Sequence, residues 1–378
     1  MSLHRYRWIV PTLILFASAA CGTQTVPSNA GAGMQISGMP KAGLGATDNT
    51  SILKNLKKDV VIGSTIDSKN GDKGPGAISI VPGKQRLKTG DLVVCNFEDS
   101  AGKAGAGTTI EILAPQQGSS PTRFTQSDSI EGCDANALAR PNYLWAGGQT
   151  SGEVVRFSSS GKLLKVYKGS PVAAPLSDVN AGAAQEFAPN YIFVGATTSG
   201  GIVSISTGFY GDGIATQVAE GFAVGSGSEY KLGPTGLQYD RRIDTLYIVD
   251  GVTSTIVAFS HASDLIEKDE IVVESGGKKF KCKEPKVTCA SLVYSGSPLD
   301  APYASALLPN GNLVVANTQG TANALVELTP QGQVLDTKVV DSSKTQGVFG
   351  LVAAGTNDDN TVLFFADANS NDVQELEP

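Results

Sequence analysis

Apolar residues in this chain gather in short runs. Each run is followed by a polar turn rich in Gly, Asn, Ser and Thr, and then by a second strand in which apolar and polar residues alternate. The unit occurs six times. Its copies are Asp91 to Leu113 (DLVVCNFEDSAGKAGAGTTIEIL), Asn142 to Phe157 (NYLWAGGQTSGEVVRF), Asn190 to Ile205 (NYIFVGATTSGGIVSI), Asp244 to Phe259 (DTLYIVDGVTSTIVAF), Gly311 to Leu328 (GNLVVANTQGTANALVEL) and Asn360 to Leu376 (NTVLFFADANSNDVQEL). Their first strands lie near Val93, Leu144, Ile192, Leu246, Leu313 and Val362, giving spacings of about 51, 48, 54, 67 and 49 residues. Four short strands with turns fit into such a spacing.

Two further segments complete the unit. A short strand precedes several copies, as in GPGAISIVPG from Gly74, GPTGLQYD from Gly233, APYASALLPNG from Ala301 and GVFGLVAAG from Gly347. Another follows, as in GKLLKVYKG from Gly161, DEIVVES from Asp269 and GQVLDTKVV from Gly332. Each unit therefore reads as a four-stranded antiparallel meander. A lone meander leaves its faces and edges open, whereas six around an axis bury their faces against one another. The expected fold is all-β, a six-bladed β-propeller spanning residues 51–378. The last unit ends after its third strand, and the apolar stretch Asp59 to Gly63 lies unclaimed before the first, so this N-terminal strand is expected to close the last blade. The longest spacing is assigned to an insert from Ser275 to Pro298.

Composition agrees with strands and turns. Glycine is 44 of 378 residues and charged residues are 17%, which disfavours coiled coil and charged disorder. The net charge is −7, or −9 without the first 20 residues, which carry two of the 29 Lys and Arg and none of the 36 Asp and Glu. Nucleic acid is therefore a poor partner.

Residues 1–20 have the layout of a secretory signal. Arg5 and Arg7 precede an apolar stretch from Trp8 to Phe16 and then Ala17, Ser18, Ala19 and Ala20. The stretch is too short to span a bilayer. Ala19-Ala20-Cys21-Gly22 resembles a lipoprotein lipobox, which implies acylation at Cys21; cleavage after Ala19, leaving Cys21 a thiol, is the alternative. Residues 21–50 are mostly small and polar and are expected to be a flexible tether. The implied location is the periplasmic side of the outer membrane or the cell surface, with membrane contact only through the N-terminal lipid; otherwise the protein is periplasmic or secreted.

Four cysteines remain, an even number consistent with export and two disulfides. Three pairings are open. Cys282 and Cys289 flank a short polar segment and are expected to close a local loop, which leaves Cys95 with Cys133. A zinc site lacks CxxC spacing and neighbouring His.

The repeat resembles the NHL-repeat propellers, most closely in GPTGLQYDRRIDTLYIVDGVTSTIVAF and ALLPNGNLVVANTQGTANALVELTPQGQV. The span from about Lys58 to Leu376 is similar to a group of exported bacterial propellers of this kind, to which the resemblance attaches no activity. Copies two and three lack the Asp and Asn turn residues of that pattern.

Little in the sequence points to catalysis. His261 is the single histidine after the leader, at the end of a third strand and expected on a blade rim. No GxSxG, GxxxxGK[ST] or HExxH motif occurs. Asp367-Ala-Asn369-Ser-Asn371-Asp372 imitates the start of a calcium loop, but Asp372 stands at the Gly position and no Glu follows at the required spacing, so a hairpin turn is expected. A ligand site, if present, belongs at the channel mouth, on the loops that lead into the innermost strands. The residues expected there are Pro75, Asp178, Thr235, Tyr303 and Phe349. Two functions are carried forward. The first is a monomeric, cofactor-free binding or scaffold module for a protein, peptide or glycan. The second is a hydrolase or lactonase using one divalent cation, calcium or similar.

Overall fold

The computed structural model describes residues 49–82, 87–139, 143–180, 191–206, 213–225, 230–265, 268–283, 289–318 and 322–378, the side chains of 176–180 excepted. The signal, Cys21 and nearly all of the tether lie outside the described residues.

The chain forms six sheets around an axis, antiparallel throughout except for one parallel pair in blade three. Strand β1 (Lys58–Ser64) precedes the first blade, which contains β2 (Lys73–Ile80), β3 (Leu92–Glu98), β4 (Thr109–Leu113) and β5 (Thr122–Gln126). Blade two holds β6 (Cys133–Ala139), β7 (Tyr143–Gly148), β8 (Glu153–Ser158) and β9 (Leu163–Lys168). Blade three begins with β10 (Pro175–Asn180), β11 (Tyr191–Ala196), β12 (Gly201–Ser206) and β13 (Ala215–Glu220). Blade four begins with β14 (Pro234–Asp240), β15 (Thr245–Asp250) and β16 (Thr255–Ser260), followed in the chain by β17 (Ile271–Glu274), β18 (Lys279–Cys282) and β19 (Ala290–Ser295). Blade five holds β20 (Pro302–Leu307), β21 (Leu313–Asn317), β22 (Asn323–Leu328) and β23 (Val334–Asp341). Blade six holds β24 (Val348–Ala354), β25 (Val362–Asp367) and β26 (Asp372–Glu377).

The innermost strands β2, β6, β10, β14, β20 and β24 pack each against the next, and β24 against β2. Ring closure follows the expected route: β1 pairs antiparallel with β26 from Lys58↔Glu377 to Ser64↔Asp372, so the first strand completes the last blade.

The apolar runs of the second strands have a simple cause. In β3, Val93 and Cys95 enter the seam with blade two, while Leu92 and Val94 enter the seam with blade six. In β15, Leu246 and Ile248 face blade three, and Tyr247 and Val249 face blade five. A strand buried on both faces is apolar along most of its length, with polar residues such as Asn96 and Asp250 kept toward its ends. Six buried clusters, one per seam, make up the core. Close approach between blades also demands glycine at Gly195, where a Cβ would lie 2.0 Å from the carbonyl oxygen of Pro234.

The insert is placed differently from the sequence expectation. The sequence pattern places DEIVVES at the outer edge of blade four and Ser275 to Pro298 in the insert. Instead β17 runs parallel to β13 (Ala219↔Ile271) and forms a hairpin with β18, so blade three has six strands. Strand β19, inside the expected insert, completes blade four by pairing with β16. Both segments have strand character; the seam selects between them. Ile271 and Val273 are buried there beside Phe222, Phe259 and Ala290, a site available only at the outer edge of blade three.

Both expected disulfides form. Cys95–Cys133 links β3 to β6 across the first seam, and Cys282–Cys289 closes the insert. At the other end of the domain, buried Glu327 accepts from Ser51 Oγ (2.7 Å), Leu53 N (2.8 Å) and Asn312 Nδ2 (2.9 Å). That clamp seats Ile52, Leu53 and Leu56 in the seam between blades five and six.

Candidate functional site

Every innermost strand breaks register with its neighbour at the same place. The ladder skips one residue between Pro75 and Ala77, Cys133 and Ala135, Pro175 and Ser177, Pro234 and Gly236, Pro302 and Ala304, and Val348 and Gly350. The skipped residues are Gly76, Asp134, Leu176, Thr235, Tyr303 and Phe349. A bulge re-aims its extra side chain. Asp134, Thr235, Tyr303 and Phe349 line the axial cavity, and two positions further along Asn136, Leu237 and Ser305 line it again.

The end of the channel at which the innermost strands begin is closed by packed rings. Phe97 stacks on Tyr230 at 4.5 Å between centroids, Tyr230 on Phe349 at 3.8 Å, and Tyr303 meets Phe349 edge-on at 5.0 Å. All four are buried. Tyr230 hydroxyl donates to Glu98 Oε1 at 2.8 Å, which fixes the ring across the mouth. Burial, and then the nearby Asp134 carboxylate, holds the Tyr303 hydroxyl well above the usual tyrosine range, so it serves as a neutral donor to Asp134 Oδ2 over 3.5 Å. Gln149 Nε2 donates to the same oxygen at 3.0 Å.

Beneath this cap lies a cavity of about 60 Å³, room for roughly four water molecules. Its wall carries buried oxygens with no protein partner among the described residues: Asn136 Oδ1, Thr235 Oγ1 and Ser305 Oγ. Such atoms require water or a small polar guest. The described wall supplies one carboxylate, Asp134. Calcium sites gather six to eight oxygens and several carboxylates, and among the described residues no group of three Asp, Glu, His or Cys side chains converges. The described donor set does not fit a catalytic divalent ion.

Of the residues expected at the mouth, Thr235, Tyr303 and Phe349 come together in the bulge ring. Pro75 sits one residue before ring position Gly76. Asp178 sits on β10 two residues past Leu176, and its side chain lies outside the described residues. Three participants escaped the sequence analysis: Asp134, Phe97 and Tyr230. Asp134 was recoverable by aligning the innermost strands, where GPGA, GCDA, APLS, GPTG, APYA and GVFG share small residues around one variable position. Tyr230 lies in a connecting loop with no such register.

Other candidates are structural. His261 is exposed on the blade-four rim at φ 54°. In the calcium-loop imitation, Asp367 Oδ1 accepts from Asn369 N at 2.9 Å, Asn371 adopts φ 57°, and its Oδ1 accepts from Gly74 N at 2.9 Å, so the segment is a hairpin turn tied to the first blade. Burial holds Asp367 and its counterpart Asp250 above the ordinary carboxylate range.

The fold defines a class: the chain is a six-bladed β-propeller. Solved structures agree. A catalytically inactive virginiamycin B lyase from Staphylococcus aureus with quinupristin is similar at TM-score 0.51 and 12% identity, covering 85% of this chain and 100% of that one. A gluconolactonase candidate from a structural-genomics programme gives TM-score 0.52 at 10% identity, over 85% and 91%. The PQQ-bound aldose sugar dehydrogenase of Streptomyces coelicolor gives 0.50 at 15%, over 85% and 98%. At these identities the likeness is one of fold. No family model matches the sequence, and neither does any curated protein.

Proposed function

We propose that this protein is an exported, lipid-anchored propeller that binds a protein, peptide or glycan on its outer surfaces, without a catalytic cofactor. The observation that carries this reading is the closed mouth. Phe97, Tyr230, Tyr303 and Phe349 fill the position where a channel substrate would enter, and the space beneath holds about four waters. The catalytic alternative rests on Asp134, Asn136, Thr235 and Ser305 around the cavity, but among the described residues a single carboxylate stands among neutral oxygens, little charge with which to hold a divalent ion.

The test is the metal content of the full chain purified without chelator, together with turnover of lactone and phosphoester panels. Substoichiometric metal and no turnover are expected. About one divalent ion per chain, with hydrolysis abolished by Asp134→Asn, would replace the binding reading with the hydrolase.

A further inference from the structure

Among the described residues, the polar side chains of the axial chamber come from blades two, four and five, while blades six and one offer it only apolar groups such as Phe349, Leu351 and Ile78. Asp134, Asn136, Thr235 and Ser305 are each at most 6% exposed. What they turn to the chamber is oxygen. Asn136 Nδ2 donates to the Val93 carbonyl at 3.0 Å, so the group left without a partner is the amide oxygen, which can only accept. Gly236 leaves room beside Ser305, since a Cβ there would lie 3.0 Å from Ser305 Oγ.

The order of the blades sets these oxygens around a guest. Blade two stands across the axis from blade five, with blade four beside the latter, so Asn136 faces Thr235 and Ser305 across the chamber instead of sharing a wall with them. Asp134 stands on the same strand as Asn136, and its Oδ2 accepts from Gln149 Nε2 and the Tyr303 hydroxyl. Those two neutral donors orient the carboxylate. Acceptor oxygens gathered beside a carboxylate, inside a wall of low dielectric, favour a guest that brings positive charge. One carboxylate matches one unit charge, and amide and hydroxyl oxygens suit a hard cation, whereas calcium calls for more carboxylate.

We propose that the axial chamber holds one monovalent metal cation, sodium or potassium, through Asp134, Asn136 Oδ1, Thr235 Oγ1 and Ser305 Oγ, with water completing the shell. The ion ties blades two, four and five together across the axis. Among the described lining residues only Gln238 is not fully buried, and it lies further along β14 than Thr235, so exchange runs through the end of the channel away from the rings. A single charge among neutral ligands grips weakly, and the ion is lost on dialysis. This site is independent of which outer surface binds a partner.

The full chain, dialysed into tetramethylammonium chloride, is melted in that salt and in sodium, potassium or calcium chloride at equal ionic strength. Tetramethylammonium screens charge as well as the metals do but cannot be coordinated by oxygen. Sodium or potassium is expected to raise the melting temperature by about 2 °C or more, saturating with concentration. Asp134→Asn keeps an oxygen for Gln149 and Tyr303 and should weaken the apparent affinity about tenfold or more. Ser305→Ala removes only an unpartnered hydroxyl, so it should melt like the wild type in tetramethylammonium chloride and gain less from the metal salts; it decides alone if Asp134→Asn fails to fold. Equal melting in all three monovalent salts would leave water as the guest and overturn the site. A gain undiminished in the variants would overturn it by placing the ion elsewhere, and a larger gain from calcium at much lower concentration would overturn it in favour of a divalent ion.

Discussion

Glu111→Gln tests the electrostatics that lock the ring-closing connection. Residues between β1 and β2 cross the first blade, where Asp67 is gripped by Arg123 Nε at 2.6 Å and by the amides of Lys69 (2.6 Å) and Asn70 (2.8 Å). Glu111 of β4 is 1% exposed and hydrogen-bonds Asp67. Burial, then that hydrogen bond and the Asp67 charge, push Glu111 up to about 9 from 4.5. Burial alone would raise Asp67 too, but the bonds from Arg123 and Glu111 and the two amides overcome it and hold Asp67 well below the carboxylate range. Glu111 is thus a neutral donor to an ionised Asp67. A group raised on folding contributes stability that is complete below its unfolded value and is lost as pH rises to its folded value. At about 1.4 kcal/mol per pH unit, about 3 kcal/mol has gone by pH 7 and about 6 by pH 9. Glutamine offers an N–H donor in place of the carboxyl O–H and cannot ionise. The variant should match the wild type near pH 4.5 and exceed it increasingly above. With a urea slope near 3 kcal/mol/M, the midpoint should differ by about 1 M at pH 7. Asp67 contributes with the opposite sign, losing its share only in acid, so the alkaline limb isolates Glu111. Urea midpoints at pH 5, 7 and 9 decide. Parallel pH dependence in the two proteins, or a variant weaker at pH 8, would refute the shared-proton account.

Four further outcomes are expected. Replacing Cys95 and Cys133 by Ala opens a link of sequence separation 38, a loss of about 4 kcal/mol, against about 2 for the Cys282–Cys289 pair; urea midpoints showing the reverse order would contradict the loop argument. Phe349→Ala removes the ring between Tyr230 and Tyr303 and should cost about 3 to 5 kcal/mol, and a melt barely shifted would mean that the mouth is not packed shut. Thr235→Val deletes an unpartnered hydroxyl at nearly constant shape and should be neutral within about 1 kcal/mol; a larger loss, read by denaturation, would reveal a tightly held guest. Labelled palmitate should enter the wild type and not Cys21→Ala, and equal labelling would end the lipid-anchor expectation.

Much of the architecture was legible because a propeller repeats one local rule. The doubly buried second strand forces an apolar run in every copy, so LVVC, YLWA and LVVA mark blades without any alignment of relatives. The closing strand was legible by elimination, since a three-stranded last unit leaves an edge that only an unclaimed strand can fill. The blade-four edge was not. IVVE and ASLVYS are equally good strands, and the choice is made by a seam between blades that no local pattern encodes. The two disulfides were legible from spacing and count, because only one pair was close enough in sequence to form a small loop.

The axial site was half legible for a related reason. Small residues must flank the bulge so that six innermost strands can converge: a Cβ on Gly76 would meet the Cys133 oxygen at 2.9 Å, and one on Gly236 the Tyr303 oxygen at 2.9 Å. That constraint frames the variable position and leaves its chemistry free. Gly76 and Leu176 offer no polar group, Thr235 offers a hydroxyl, Asp134 a charge, and Tyr303 and Phe349 offer bulk. With one charge and two rings, the ring position seals an axis better than it activates water. Phe97 and Tyr230 then complete the seal from outside the ring, one from a second strand and one from a loop, where the innermost-strand pattern has no reach.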